Sequence, residues 1–597
     1  MDHGNSLTIR FPLAPLQGTD NPHINQTLMT KPRLLFKGLA PLALSAALLP
    51  GADWPQHRAD AARSGYTAEP LPNRLQLAWT YRARHTPKPA WHTSGRVRFD
   101  FASQPIVANG TVFIGSSTED TVTAMDLKTG QTRWVFFAEG PVRFAPAAWQ
   151  DRIFVASDDG YLYALAQSDG RLLWKFRGGP NDRKLPGNER MISAWPARGG
   201  PVVLEDTVYF TSGIWPTDGV YVHALEATTG KPVWVNGETG SMEINQPHGG
   251  ARAKSGVSAQ GYLLANEKQV IVPTGRAVPA AFNRATGKFE FYHLQKNQKR
   301  GGSAALLADQ FIGNSGCLFD SVSGELSAEV GHGPMVAMPD GIVRASGRQL
   351  ISYQFKDIAK LDRKGTPVKI RGPVQTRQTS MQREIEAFIV ARIDAYCGED
   401  GRVSAVDFTR QQTTWWSHPV EGRALGLAAA DGRLIVSTDR GVVYCFADIP
   451  KPASTVWRPA IEKIETTSIA QDAAREIIAK TGITEGWCVD LGADNGDLAI
   501  ELARQTKLRV LCLIPDPAQA KQVRRRLYAA NLLGVHVSVH TGASAKAPFP
   551  DQFANLIVSS ASMRNDLSPA TKKEVGRLQR PFGGKTCLSS LIKCWQR

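Results

Sequence analysis

Two sets of residues in this chain have types and spacings that could do chemistry. The first is Cys488-Val-Asp490-Leu-Gly492-Ala-Asp494-Asn-Gly496, an apolar run ending in a glycine-bearing turn, followed by a helical stretch from Asp497 to Arg504. A strand–turn–helix unit of this kind sets its turn at the carboxyl end of a parallel sheet, where doubly wound folds bind their ligands. The second set lies in loop-like stretches: Glu139 to Pro146, Gly178 to Arg190, Ile192 to Gly200, Ser212 to Pro216 and Asn245 to Gly249. Arg143, Arg190 and Arg198, with Trp195, Trp215 and His248, could together grip an anionic or aromatic ligand on one face of a scaffold. The alternative is that these groups cap a central channel. No nucleophile or general base stands out, so no catalytic residue is assigned. Seven scattered Cys, with no CxxC and no adjacent pair, give neither a zinc site nor a disulfide framework, and the odd count leaves at least one free thiol. No Asp/Asn/Glu cluster offers an oxygen cage, so no metal is expected.

The elements that carry these residues come from a repeat. Asp126-Leu-Lys-Thr-Gly-Gln-Thr-Arg-Trp134 returns as Gln167 to Trp174 and as Glu226 to Trp234, with weaker copies at Asn283 to Phe291 and Asp320 to Leu326. A polar turn ending in Gly, then a run ending in a large aromatic, every ~40 to 60 residues is the period of stacked blades. The Gly supplies a positive-φ corner. The aromatic can pack between blades. Before each copy stand two further strands, such as Ile153-Phe-Val-Ala156 and Tyr161-Leu-Tyr-Ala164. These features predict an all-β propeller of about eight four-stranded blades, with seven still open. The Trp79 strand has no blade of its own and is expected to complete the last one, beside Ala424–Leu427, Leu434–Ser437 and Val442–Phe446, which removes the open edges. Gln382 to Arg392 reads equally as a helix or a strand pair.

Composition and charge narrow the class. A hydrophobic share of 42% and a charged share of 21% describe a folded protein. The net charge of +16 raises anionic partners, but the Lys and Arg are dispersed, which argues against nucleic acid. Met29-Thr-Lys-Pro-Arg-Leu-Leu-Phe-Lys37, an apolar run from Leu39 to Leu49 and small residues near Gly51 have the build of a signal peptide. Residues 1–52 are therefore an extension plus leader with a true start expected at Met29. The rest is expected to be exported to the periplasm or cell envelope, with no membrane span after cleavage.

The expected propeller spans 53–450 and a linker 451–467. From 468 to 597 the texture changes to alternating strands and helices: helical spacing at Ile469–Lys480, strands at Cys488–Leu491, Arg509–Ile514, His536–His540, Asn555–Ser559 and Lys585–Leu591, and a helix from Pro517 to Leu533. That is a parallel α/β layer, expected to be incomplete because it stops near its fifth strand. Lys521 with Arg524-Arg525-Arg526 reads as a solvated helix face.

Asp53-Trp-Pro-Gln-His-Arg-Ala-Asp60 and Leu75-Gln-Leu-Ala-Trp-Thr-Tyr81 resemble the opening of pyrroloquinoline-quinone-like (PQQ-like) repeat proteins. With the loop stretches above, the chain resembles exported PQQ-like propellers fused to a methyltransferase-like domain. The segment from 468 resembles the class I S-adenosylmethionine (SAM) methyltransferases, a Rossmann-like fold. That resemblance implies cofactor contacts at Asp490, Gly492 and Gly496. Asp494 stands where the family has its middle Gly, and Ile514 stands where it has the acid for the ribose, with Asp516 as a substitute. Leu578-Gln-Arg-Pro-Phe-Gly-Gly584 resembles the turn before the fifth strand. The quinoprotein dehydrogenases pair PQQ with calcium and a disulfide between adjacent Cys. Cys317, Cys397 and Cys445 are isolated, which speaks against PQQ. The expectation is a propeller scaffold or binding protein carrying a degenerate SAM-methyltransferase-like domain, no certain cofactor, and an unknown protein or small-molecule partner at a propeller face. An active SAM-dependent methyltransferase is the first alternative and a PQQ-dependent dehydrogenase a remote one.

Overall fold

The computed structural model describes residues 52–597 except 247–249, 276–277, 294–300, 362–364, 410–413, 564–567, 589–592 and 597. The leader and His248 lie outside the described residues. The description below concerns the compact unit that follows residue 49.

The repeat folds as its pattern predicts. Six antiparallel sheets follow one another, from the first blade (strands 106–108, 111–116, 121–126 and 132–137) to the sixth (335–338, 341–346, 349–361 and 367–380). An eight-stranded sheet comes next and divides at the long strand Trp416–Ala430. The first half of that strand pairs with Asp394–Asp407 and the second half with Arg433–Thr438. The two halves are blade-sized, which brings the ring to eight units. Gln76–Arg82 pairs with Val442–Ala447 and completes the eighth. Strands from both ends of the chain thus close the propeller-like ring. The ambiguous 382–392 stretch becomes the strand Ala387–Ala391.

Neighbouring blades are joined by the repeat's own residues. The Trp79 indole N–H donates to the Leu127 carbonyl at 3.0 Å, Trp134 to Gln167 at 3.0 Å and Trp234 to Arg284 at 2.8 Å. Each acceptor lies in the next blade's polar turn. The Gly of that turn has a second duty besides its positive φ. A Cβ at Gly130 would sit 2.5 Å from the Trp79 ring, and one at Gly170 2.5 Å from Trp134. Only glycine leaves room for the ring.

The channel inside the ring is filled by the chain itself. The Trp54 and Val107 backbones bond mutually at 2.9 Å. The Pro55 carbonyl accepts from Ala148, Ala61 from Ala265, Ala62 from Leu307, Ser64 from Ala337 and Gly65 from Val390. The Gln56 side chain pairs with both backbone groups of Val203. These partners lie on the first strands of seven successive blades, an arrangement that a path around the central channel produces.

The last segment is a six-stranded sheet in the order 537–541, 507–514, 485–491, 556–558, 585–588, 593–596. The first five strands run parallel and the sixth is antiparallel, one strand beyond those expected. Helices α1 (Ser468–Thr481), α2 (Asp497–Gln505) and α3 (Pro517–Ala529) pack on one face, against Cys488, Val510, Cys512 and Val558. The other face, with Val489, Leu491, Leu511 and Leu513, meets α4 (Pro569–Leu578) and Met191 of the propeller. Met191 belongs to a hairpin, Lys184–Gly187 with Arg190–Ser193, that leaves the second blade to reach this sheet. The hairpin fills a layer that alternating α/β units usually give to a helix. The stretch 178–190, conspicuous in the sequence for breaking the repeat, is this excursion.

Candidate functional site

The arginines of the loop set turn inward. Arg143 donates to Asp100 at 2.8 Å, to Asp158 at 2.6 Å and to the Lys88 carbonyl at 2.6 Å. Arg198 grips the same Asp158 at 2.7 and 3.0 Å. Burial alone would raise the Asp158 carboxyl, but Arg198 and Arg143 outweigh it and hold the group below its usual range. Two cations and two anions cancel in a buried knot, which leaves no free charge for a ligand. Arg190 is also buried, paired with Asp120 and donating to the Thr118 carbonyl at 3.1 Å. Trp195 is buried under Arg183, and its indole N–H donates to the Asp218 carbonyl at 2.6 Å. Trp215 is 55% exposed and meets Trp91 edge to face at 6.1 Å. Of the six, the structure brings Arg143 and Arg198 together, and Trp215 alone among the described five faces solvent.

The axial channel holds its own charges. Arg63 donates to the carbonyls of Leu263 and Pro201, both at 2.8 Å, tying two blades together. Arg58 reaches Met335 and Phe388 carbonyls across the ring. Burial lowers both guanidinium pKa values to about 10. His57 lies flat on the Tyr262 ring, 3.6 Å away and 14° from parallel. Burial first, then Arg63 and Arg58, push its imidazole well below the usual range, so it is neutral.

In the α/β segment the motif residues are committed to one another. Asp490 is fully buried and accepts from the Ser560 N–H at 2.8 Å and the Ser560 hydroxyl at 2.6 Å. Burial pushes its carboxyl up. Gly492 and Gly496 have φ of +73° and +83°. A Cβ on Gly496 would meet Val523 of α3 at 2.9 Å, so this glycine serves helix packing. The Gln519 side chain donates to the Asp494 carbonyl at 2.8 Å. Ile514 is buried, and Asp516 is the N-cap of α3, taking the N–H groups of Ala518 and Gln519 at 3.1 Å. A SAM ribose would need the acid that Ile514 replaces, and Asp516 has another task. Among the described residues no group of three or more His, Cys, Asp or Glu could hold a metal.

The most developed polar contact was missed in the sequence. Glu139, from the propeller loop flagged above, pairs with Arg524 of α3 at 3.2 Å and accepts from the Thr541 N–H at 3.2 Å. Arg524 is buried, not solvated, and Arg526 pairs with Asp497 at 2.8 Å. The signal lay in the Glu139 loop and the arginine run taken together, two features more than 380 residues apart that no local pattern links.

Residues 76–288 match the family model described as "Outer membrane protein assembly factor BamB" (PQQ_2). The matched stretch, blades one to four, is similar to the PQQ-like repeats of this family. A curated relative, the dehydrogenase subunit of the quinone alcohol dehydrogenase of Gluconobacter oxydans (strain 621H), is 25% identical over 160 residues, 25% of this chain and 20% of the relative. The chain thus spans about a fifth of that relative's length. Among solved structures, a quinohemoprotein alcohol dehydrogenase from Comamonas testosteroni is 15% identical, with 73% of this chain and 86% of that chain covered and a TM-score of 0.46. BamB from Moraxella catarrhalis is 14% identical, covering 63% and 100%, with a TM-score of 0.31. A protein from Methanococcus maripaludis assigned to the SAM-dependent methyltransferases is 30% identical over 20% of this chain and 54% of its own, with a TM-score of 0.19. None of these likenesses is close enough to carry an activity over.

Proposed function

We propose that this protein is an exported, envelope-located binding or scaffold propeller whose α/β segment has lost methyl-transfer chemistry. One observation carries the reading: the residues that could do chemistry are spent on each other. Asp490 is held by Ser560, Asp516 caps α3, and Arg143 and Arg198 share Asp158. A catalytic group needs an unspent donor or acceptor facing its substrate. The export reading rests on the leader-like Met29–Ala52 pattern. The partner sought is a protein or small molecule at the exposed propeller surface around Trp215. No described helix is long and apolar enough to cross a membrane.

The deciding experiment is a calorimetric titration of SAM into the folded chain. No saturable heat is expected. Micromolar binding would overturn the reading in favour of a methyltransferase held by Asp490, Gly492 and Gly496. A second reading, a quinone-dependent dehydrogenase, is favoured by the Gluconobacter relative. Against it stands the isolation of Cys317, Cys397 and Cys445 from one another. Incubation with PQQ and calcium followed by a dye-linked alcohol oxidation assay tests it directly: turnover would establish the dehydrogenase.

A further inference from the structure

The seam between the eighth and first blades lacks an aromatic contact that the next two seams have. The second blade's third strand opens with Tyr161 and Tyr163, and the third blade's with Tyr221 and His223. Phe136 meets Tyr163 across the first-to-second seam, and Phe176 meets His223 across the next, both with ring centres 5.3 Å apart. In the first blade the corresponding residues are Thr121 and Thr123, facing Tyr81 where the pattern has Phe136. A cavity opens at this seam, lined by Tyr81, Thr121, Thr123, Ser116, Ser437 and Thr438. Threonines thus stand where the second and third blades carry rings, as Val278 and Ala280 do in the fourth blade, and the small side chains leave this seam loosely filled.

The α/β segment lies across that seam. In the second blade Asp159 takes the Tyr163 hydroxyl at 2.5 Å. In the first blade Glu119 stands at the equivalent position and is held by Arg84 at 3.0 Å. The Arg84 guanidinium lies 3.9 Å over the Tyr528 ring of α3 and donates to the Tyr528 carbonyl at 2.6 Å. Tyr528 also meets Phe137 of the first blade, ring to ring at 5.3 Å. His85, beyond the eighth blade's last strand, bonds Asn531 at 2.7 Å. Gly534 is seated so closely that a Cβ there would lie 2.1 Å from the Thr118 carbonyl. The contacts fall on both sides of the eighth-to-first seam, at Arg84 and His85 on one side and at Thr118 and Phe137 on the other.

We propose that the α/β segment is the staple that keeps the ring shut, its Tyr528 ring packed between Arg84, just beyond the eighth blade's outer strand, and Phe137 of the first blade. The inference does not depend on the functional reading above. The one break in the ring's covalent continuity lies inside the eighth blade, between Val442–Ala447 and Gln76–Arg82, and the α/β segment, joined to the first of these strands through 448–467, docks on Arg84 and His85 just beyond the second. The retained α/β fold then has a use that needs no cofactor.

Amide hydrogen exchange on the full chain tests it. In a Tyr528→Ala/Asn531→Ala variant, strands 76–82, 111–116 and 121–126 are expected to exchange roughly tenfold faster, with 269–272 and 311–314 unchanged. Thr123→Tyr, which places the second blade's residue beside Glu119, should slow exchange in the wild type and reverse the effect in the double variant. Wild-type rates at the seam after undocking would overturn the proposal. So would equal acceleration in all blades, or a Thr123→Tyr substitution without effect on the seam.

Discussion

Glu139 and Arg524 meet at 3.2 Å across the junction of propeller and α/β segment, each almost wholly removed from water. Burial works against the charged carboxylate, yet Arg524, then Lys184, hold its pKa down to about 2 from an ordinary 4.5. A depressed carboxylate contributes stability above its unfolded pKa and loses it as pH falls through the folded one. Glu139→Gln should therefore cost about 3 kcal/mol at neutral pH. Urea midpoints of variant and wild type should converge between pH 4.5 and about 2. A gap that persists at the acid end would assign the cost to packing instead of charge.

Arg63 sits in the ring's channel, its charge held by carbonyls of two blades. Arg63→Met keeps the length of the side chain but leaves two buried carbonyls without a donor, at a cost of about 2 to 5 kcal/mol. The thermal midpoint should fall by several degrees. An unchanged midpoint would mean that the channel segment is dispensable.

Gly170→Ala places a methyl 2.5 Å from the Trp134 ring at a φ of +69°. The left-handed backbone costs roughly 1–2 kcal/mol, and the displaced ring adds to it. Gly482→Ala, at a similar φ but with no atom within 4 Å, is the control and should cost only the backbone share. The difference between the two, read by denaturant titration, isolates the ring contact.

Asp490→Asn removes a charge that burial disfavours while keeping a partner for both Ser560 bonds. A carboxyl whose folded pKa is raised destabilises once pH exceeds its unfolded value. The variant should match or exceed wild-type stability at pH 7, measured by urea unfolding. A loss of more than about 1 kcal/mol would reveal a charge-dependent role for Asp490.

Five of the seven cysteines are buried thiols outside any disulfide, and Cys587 is disulfide-bonded. Alkylation in denaturant without reductant should label five thiols, and seven after reduction. Seven labelled thiols before reduction would exclude the bond.

The sequence made the blades legible because each carries its own turn, glycine and aromatic within about ten residues, a range over which pattern and contact coincide. Ring closure by Trp79 was legible for the same reason: a strand with no blade implies a blade lacking a strand. The ligand-gripping set was not legible as what it is. Arg143 and Arg198 look available until Asp158 is placed between them, and that requires a fold. Arg524 reads as solvent-facing because its partner lies in another architecture altogether. Asp516, considered for a ribose, could be recognised as a cap from the Pro that follows it.

The threaded channel has a consequence for the order of events during synthesis. Residues 54–65 emerge from the ribosome early, but their partners are spread from Val107 to Val390, and the strand holding Trp79 waits for Val442–Ala447. Contacts of such sequence separation carry a heavy loop-closure cost and make folding slow. The half-made chain presents unpaired inner strand edges until the last blade arrives, the condition under which β proteins aggregate. This architecture therefore favours folding after the chain is complete, a schedule well suited to a polypeptide handed across a membrane unfolded and at particular risk if it is held back in the compartment where it is made.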